Sequence, residues 1–208
     1  SEFANTDINF IAEIENRKQS GTVYRAIPVG DTWETLVDLF GVSLGGDSED
    51  AYSDFSDGQG DNSDIWSLSL KIDHELGWAT LTSLSGYKEH NWSYAEDYDG
   101  TPLRIANYTQ DQEGDYLEQE FRLVSNSEGP LTWFAGVAGY RESINAEFSQ
   151  IADEEVMCAF YLSEDGYANC TEYLADYDEV ITANPNGLVE SNRVQGDYSG
   201  VAAYFDIQ

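Results

Sequence analysis

Ile65-Trp66-Ser67-Leu68-Ser69-Leu70-Lys71-Ile72-Asp73-His74-Glu75, then Leu76-Gly77-Trp78-Ala79-Thr80-Leu81, decides the fold. Trp66, Leu68, Leu70 and Ile72 alternate with Ser67, Ser69, Lys71 and Asp73. A strict two-residue period is the mark of a strand whose two faces meet different surroundings. A second strand-like run, about Trp78–Trp92, begins after a connection too short for anything but an antiparallel hairpin. The same sign recurs at about Asp115–Ser125, where Leu117, Phe121 and Leu123 oppose Tyr116, Glu118, Glu120 and Arg122. Another short connection, Asn126-Ser127-Glu128-Gly129-Pro130, leads into a run at about Leu131–Gln150. That run, like Trp78–Trp92, is less regular, with Trp133 and Val137 on one parity and Phe134 and Tyr140 on the other. Outer strands are expected at about Asp7–Tyr24, through Ile8, Phe10, Ala12 and Ile14, and at about Val194–Gln208, through Val201, Ala203, Phe205 and Ile207.

The expected fold class is all-β: an antiparallel up-and-down meander of about six long strands in a single domain over residues 1–208. Short and long connections alternate. The long ones, residues 25–64, 93–114 and 151–192, hold 25 of the 40 acidic residues but 2 of the 9 Lys and Arg. In a meander every long loop emerges on one side. A transmembrane barrel sorts its loops in this way, because its rims face different compartments. Each segment also reaches the ~9–11 residues that a tilted strand needs to cross a bilayer. Trp78 and Trp133 follow the short turns, and Trp66 and Trp92 sit where strands meet long loops. Aromatic girdles would put them there, and so would an ordinary core. Within the long loops a helix is expected at Thr32–Phe40, capped by Asp31 or Thr32, and the remainder reads as polar loop.

A net charge of −31 argues against nonspecific nucleic-acid binding and against docking on an anionic membrane through a basic patch. Such an excess of acid suits high-salt solubility, divalent cations or a cationic ligand. No run of 18 apolar residues occurs, so no transmembrane helix is expected. Residues 1–20 do not read as a signal peptide, which leaves a cytosolic, a processed or a partial chain. Cys158 and Cys170 lie in the third long loop. A disulfide between them would stabilise that loop by about 3 kcal/mol on the chain-entropy model and would require an oxidising compartment. Two free thiols are the alternative. Zinc is disfavoured, because neither histidine is nearby.

Two clusters carry candidate sites. Asp47, Glu49, Asp50, Asp54, Asp57, Asp61 and Asp64 are interleaved with Gly58 and Gly60. Calcium takes several oxygens from a flexible loop, so Asp54, Asp57, Asp61 and Asp64 are candidate ligands. Their spacing is not that of an EF-hand, and plain hydration is the alternative. Trp92, Tyr94, Asp97, Tyr98, Asp99 and Tyr108 form the second cluster. Aromatics mixed with acids suit sugar stacking or a cationic, metal-chelating ligand, and equally suit simple loop packing. Catalytic signatures are absent, and His74 and His90 read as rim or surface residues rather than bases. Glu118 and Glu120 share a strand face near Arg122, about 7 Å apart by strand geometry.

Gly77-Trp78-Ala79-Thr80-Leu81-Thr82-Ser83-Leu84-Ser85-Gly86-Tyr87, Glu118-Gln119-Glu120-Phe121-Arg122-Leu123-Val124-Ser125 and Trp133-Phe134-Ala135-Gly136-Val137 together resemble the barrel of TonB-dependent outer-membrane receptors. Asn16–Arg25 and Gly196–Tyr204 fit barrel strands of the same kind. Members have a 22-stranded barrel, a plug and a TonB box; this chain shows about six strands and neither of the others. The resemblance therefore implies a barrel segment in the outer membrane of a Gram-negative bacterium. It implies uptake of a ferric siderophore, a vitamin or an oligosaccharide, driven by the TonB complex acting on a plug, and no enzymatic activity. Loop and lumen residues, the Trp92–Tyr108 cluster among them, would capture the small-molecule nutrient. Two other classes stay open: a soluble or cell-surface acidic β-domain binding a ligand, with or without calcium, and a hydrolase of unrecognised type.

Overall fold

In the computed structural model, residues 5–21, 24–27, 30–43, 51–55, 60–127, 129–179, 184 and 187–208 are described. The six expected strands form one antiparallel sheet in chain order: β1 (Thr6–Gln19), β2 (Asp61–Glu75), β3 (Ala79–Asp97), β4 (Asn107–Ser125), β5 (Trp133–Ala152) and β6 (Leu188–Ile207). The sheet does not close, and β1 and β6 are its two edges. Gly77, at φ 87°, makes the tight turn between β2 and β3, a conformation that costs a side-chain-bearing residue strain.

Register places the expected faces together. On one face Ile8, Phe10, Ala12 and Ile14 stand opposite Ile72, Leu70, Leu68 and Trp66. The belt continues through Leu81 and Tyr87 on β3, and through Leu117, Phe121 and Leu123 on β4. It ends in Trp133, Ala135 and Val137 on β5 and Val201, Ala203, Phe205 and Ile207 on β6. Alternation on β5 is thereby resolved: Phe134 and Tyr140 belong to the other face, where Tyr204 and Tyr116 meet them. The belt is uncovered; Ile14 is 85% and Val201 94% exposed. Its polar members, Ser83, Ser85 and Gln119, satisfy one another. Ser85 donates to Gln119 Oε1 at 2.6 Å, and Gln119 Nε2 donates to Ser83 Oγ at 3.0 Å.

Above the belt the same face turns abruptly polar, with Asp64, Glu89, Asp115, Arg141 and Ser199 as the next residues up. Behind the belt the opposite face carries charge. Lys71 pairs with Asp73 and Arg122 with Glu120, both at 2.8 Å.

The belt runs obliquely across the strands. Through the register, Ile14 is level with Trp66, Glu89, Asp115, Ser143 and Asp197. The top of the belt on β6 is Val201, four residues from Asp197. Four residues at ~3.4 Å, over five strand spacings of ~4.8 Å, incline the belt by roughly 30° to the perpendicular of the strands.

The described parts of the long connections, within residues 20–60, 98–106 and 153–187, lie together at one end of the sheet and share a core. Leu36 comes from the first loop, Leu103 and Ile105 from the second, and Val156 and Ala159 from the third. Trp33, Phe40, Val42 and Phe160 pack around them. The expected helix is α1 (Asp31–Phe40), with Gly30 at the cap position and no side-chain cap bond, so Asp31 lies inside the helix rather than before it. The third loop, expected to be irregular, instead holds α2 (Glu154–Leu162), a 3-10 turn (Ser163–Asp165) and α3 (Cys170–Ala175). Asp153 caps α2, accepting from the Glu155 and Val156 amides. A Cys158–Cys170 disulfide ties α2 to α3.

Candidate functional site

Above the belt β3 and β4 continue as a paired ribbon, with β5 still bonded to β4, over residues 93–97 and 107–114 that the sequence assigned to loop. On the ribbon face opposite the belt side, Trp92, Tyr94 and Tyr108 follow one another across the strands. Ring centroids of Trp92 and Tyr94 lie 5.8 Å apart, and those of Tyr94 and Tyr108 6.3 Å apart. Tyr98, just past the end of β3, sits 6.3 Å from Tyr108. All four aromatics of the sequence-derived cluster thus come together.

The structure adds three members. Tyr24, from the first long loop, lies 6.4 Å from Tyr98, and Phe148 on β5 lies 6.5 Å from Tyr108. Glu96 sits among the rings and accepts a 2.6 Å hydrogen bond from the Tyr24 hydroxyl. That bond raises the Tyr24 pKa. Burial, and then the Glu96 charge, raise those of Tyr98 and Tyr108. Glu96 follows Tyr94 by two residues and so shares its face, a relation visible once β3 is extended to Asp97. Tyr24 gave no sequence signal, because only folding brings the first loop to the second.

The two acids of that cluster have another task. Asp97 Oδ1 accepts from the amides of Asp99 and Gly100, both at 3.0 Å. Asp99 accepts from the Thr101 amide and hydroxyl and from the amides of Ile105 and Ala106. Burial, with the Asp97 charge adding to it, pushes the Asp99 carboxyl up to about 6 against the Thr101 bond. These acids shape the β3–β4 loop. Asp97 Oδ2 and its cross-strand neighbour Asn107 Oδ1 are buried without a protein partner.

Of the candidate calcium ligands, Asp54, Asp61 and Asp64 each have other partners. Asp54 is held by Arg104 at 2.7 Å and by Asn107 Nδ2 at 2.6 Å. Asp61 accepts from Arg17 at 2.8 Å and from Trp92 Nε1 at 2.7 Å. Asp64 takes a bond from Asn16 and lies on the opposite face from Asp61. Asp57, with Asp47, Glu49 and Asp50, lies outside the described residues. Among the described residues no three His, Cys, Asp or Glu side chains form a metal-binding group.

The histidines are held in the sheet. His74 Nδ1 meets the Thr6 hydroxyl at 2.8 Å, and His90 Nε2 meets Gln112 Nε2 at 2.9 Å. Glu120 is bonded by Arg122 and Tyr204, and Glu118 by Tyr116.

Comparison of the chain with models of known protein families, with curated proteins and with solved structures finds no match.

Proposed function

We propose that this chain is a six-stranded stretch of the wall of a TonB-dependent outer-membrane receptor, and that the protein it belongs to takes up a scarce nutrient. The oblique apolar belt carries the reading. It spans seven residues on each strand, about 20 Å between end Cα atoms, to which the end side chains add. Lipid-facing bands of outer-membrane barrels are ≈ 25 Å tall, and their strands tilt by ≈ 35–45°. A band perpendicular to the membrane normal must cross tilted strands obliquely, as this one does. A soluble sheet has no comparable reason to leave residues such as Phe10 and Phe205 more than 60% exposed.

Three further observations support it. The face behind the belt is charged, as a water-filled interior requires. Trp66 and Tyr87 lie at the upper edge of the belt, and Trp78 stacks on Trp133 at 6.0 Å at the lower edge. Eight strands is the smallest common outer-membrane barrel, so an open sheet of six fits a part of a larger wall. On this placement the three long loops are extracellular and the short turns periplasmic. The ferric siderophore, vitamin or oligosaccharide of the family meets the ring cluster from the lumen side. Coupling to the TonB complex belongs to a plug, so the stretch alone carries ligand without transporting it.

The test is partition. The purified chain should require detergent or lipid, resist protease across residues 61–97 in vesicles, and be cut in its long loops from one side only. A chain that stays monomeric in plain buffer would refute the reading and favour a soluble ligand-binding domain.

A further inference from the structure

The upper ribbon combines two features that recognise the same chemistry. Four tyrosine rings, Tyr24, Tyr98, Tyr108 and Tyr94, follow one another at 6.3–6.4 Å. Their planes are tilted by 36°, 49° and 60° rather than stacked, so the row presents faces in several directions. Tyr24 and Tyr98 are 41% and 49% exposed, so that end of the row is partly open to solvent. The Glu96 carboxylate is set into the row, bonded to the Tyr24 hydroxyl.

Ring faces carry the negative side of the aromatic quadrupole and attract cations, and a cluster of them around an acid selects a soft, weakly hydrated cation. A ferric complex bearing net negative charge would meet Glu96 unfavourably. A neutral sugar would use the rings without needing the carboxylate. The long connections, residues 20–60, 98–106 and 153–187, hold 18 of the 40 acidic residues, a field that concentrates cations around them.

We propose that the Tyr24–Tyr94–Tyr98–Tyr108 cluster with Glu96 binds an organic cation of the quaternary-ammonium class. The assignment narrows the nutrient of the receptor reading to a positively charged one and rests on that reading for its purpose. Binding itself needs only the folded ribbon and the segment of the first long loop that carries Tyr24. Loss of membrane insertion would therefore sink the receptor reading without touching it, and loss of binding would do the reverse.

The experiment is isothermal titration of the purified chain in detergent micelles with tetramethylammonium chloride. Sodium chloride at equal ionic strength and a neutral maltooligosaccharide serve as comparisons. Saturable binding of tetramethylammonium is expected, with neither comparison matching it. Glu96→Gln and Tyr98→Leu should each weaken it by about tenfold, within the range of a partly desolvated cation–π contact. Tyr98→Phe, which keeps the ring, should stay within about twofold of the parent. Circular dichroism checks that each variant is folded. Absence of saturation, or oligosaccharide binding that survives Glu96→Gln, would overturn the proposal.

Discussion

Trp66 and Tyr87 pack against each other with ring centroids 4.9 Å apart, on adjacent strands and at the upper edge of the apolar belt. Directly above them on the same face stand Asp64 and Glu89. The change from apolar to charged thus takes one alternating step, and a paired aromatic marks it. Amphipathic rings of this kind favour a membrane–water interface.

Depth along β4 should therefore control the cost of a charge. Phe121→Arg puts a guanidinium within the belt and should reduce folding stability in lipid vesicles by about 2–4 kcal/mol. Glu113→Arg, on the same face but above the belt, should cost about 0–1 kcal/mol. Urea titration followed by tryptophan emission in vesicles measures both. Equal effects would count against a bilayer around the belt.

Gly136 should resist substitution although it lies in a regular strand. A Cβ there would come within 2.2 Å of the ring of Tyr204, its cross-strand neighbour. Gly136→Ala must push that ring off the strand and break its hydrogen bond to Glu120. A loss of about 1–3 kcal/mol is expected, with Tyr204→Ala in the same background recovering part of it. Chemical denaturation of the single and double variants decides.

Leu36 is 0% exposed, in the core shared by the three long loops. Leu36→Ala should cost about 2–5 kcal/mol locally. Amide exchange should rise in residues 31–43, 101–106 and 154–162 together and leave the belt strands protected. Exchange confined to α1 would show that the loops fold independently.

Removing the disulfide should loosen one loop only. Cys158 and Cys170 bracket a short segment, so replacing both with Ser should cost about 3 kcal/mol on the chain-entropy model. The loss should appear as faster proteolysis between residues 163 and 179, with the sheet unchanged. A drop in the melting of the sheet itself would mean that the third loop supports the strands.

Strand identity was legible wherever the two faces of a strand meet different surroundings. Ile65–Glu75 alternates because one side is apolar and the other is not. Above the belt one face is polar and the other mixes aromatic rings with polar side chains, so a clean apolar–polar alternation disappears. Residues 93–97 and 107–114 therefore read as loop although they are paired strand. The α2 helix was hidden for a related reason: Val156 and Ala159 meet Leu36 and Ile105 through folding, and a nine-residue helix shows too few turns for a periodic face to stand out.

The site divides in the same way. Trp92, Tyr94, Tyr98 and Tyr108 were visible as a composition, and Asp97 and Asp99 stood beside them without distinction. Backbone geometry separated them: the acids turn inward to hold amides of the β3–β4 loop, and the rings stay on the open face. Asp61 and Asp64, three residues apart, looked like neighbours for a metal, but an odd separation on a strand sends them to opposite faces.

By itself the amino-acid order determined the meander, the apolar face of the first, second, fourth and sixth strands, and the gathering of long acidic connections at one end. A two-residue period and short turns are local properties, and in a chain-order sheet local properties suffice. Only the tertiary structure decided the slant of the belt, the shared core of the loops and the place of Tyr24 beside Glu96. Each joins segments far apart in the chain, and no local pattern encodes which distant side chains will meet.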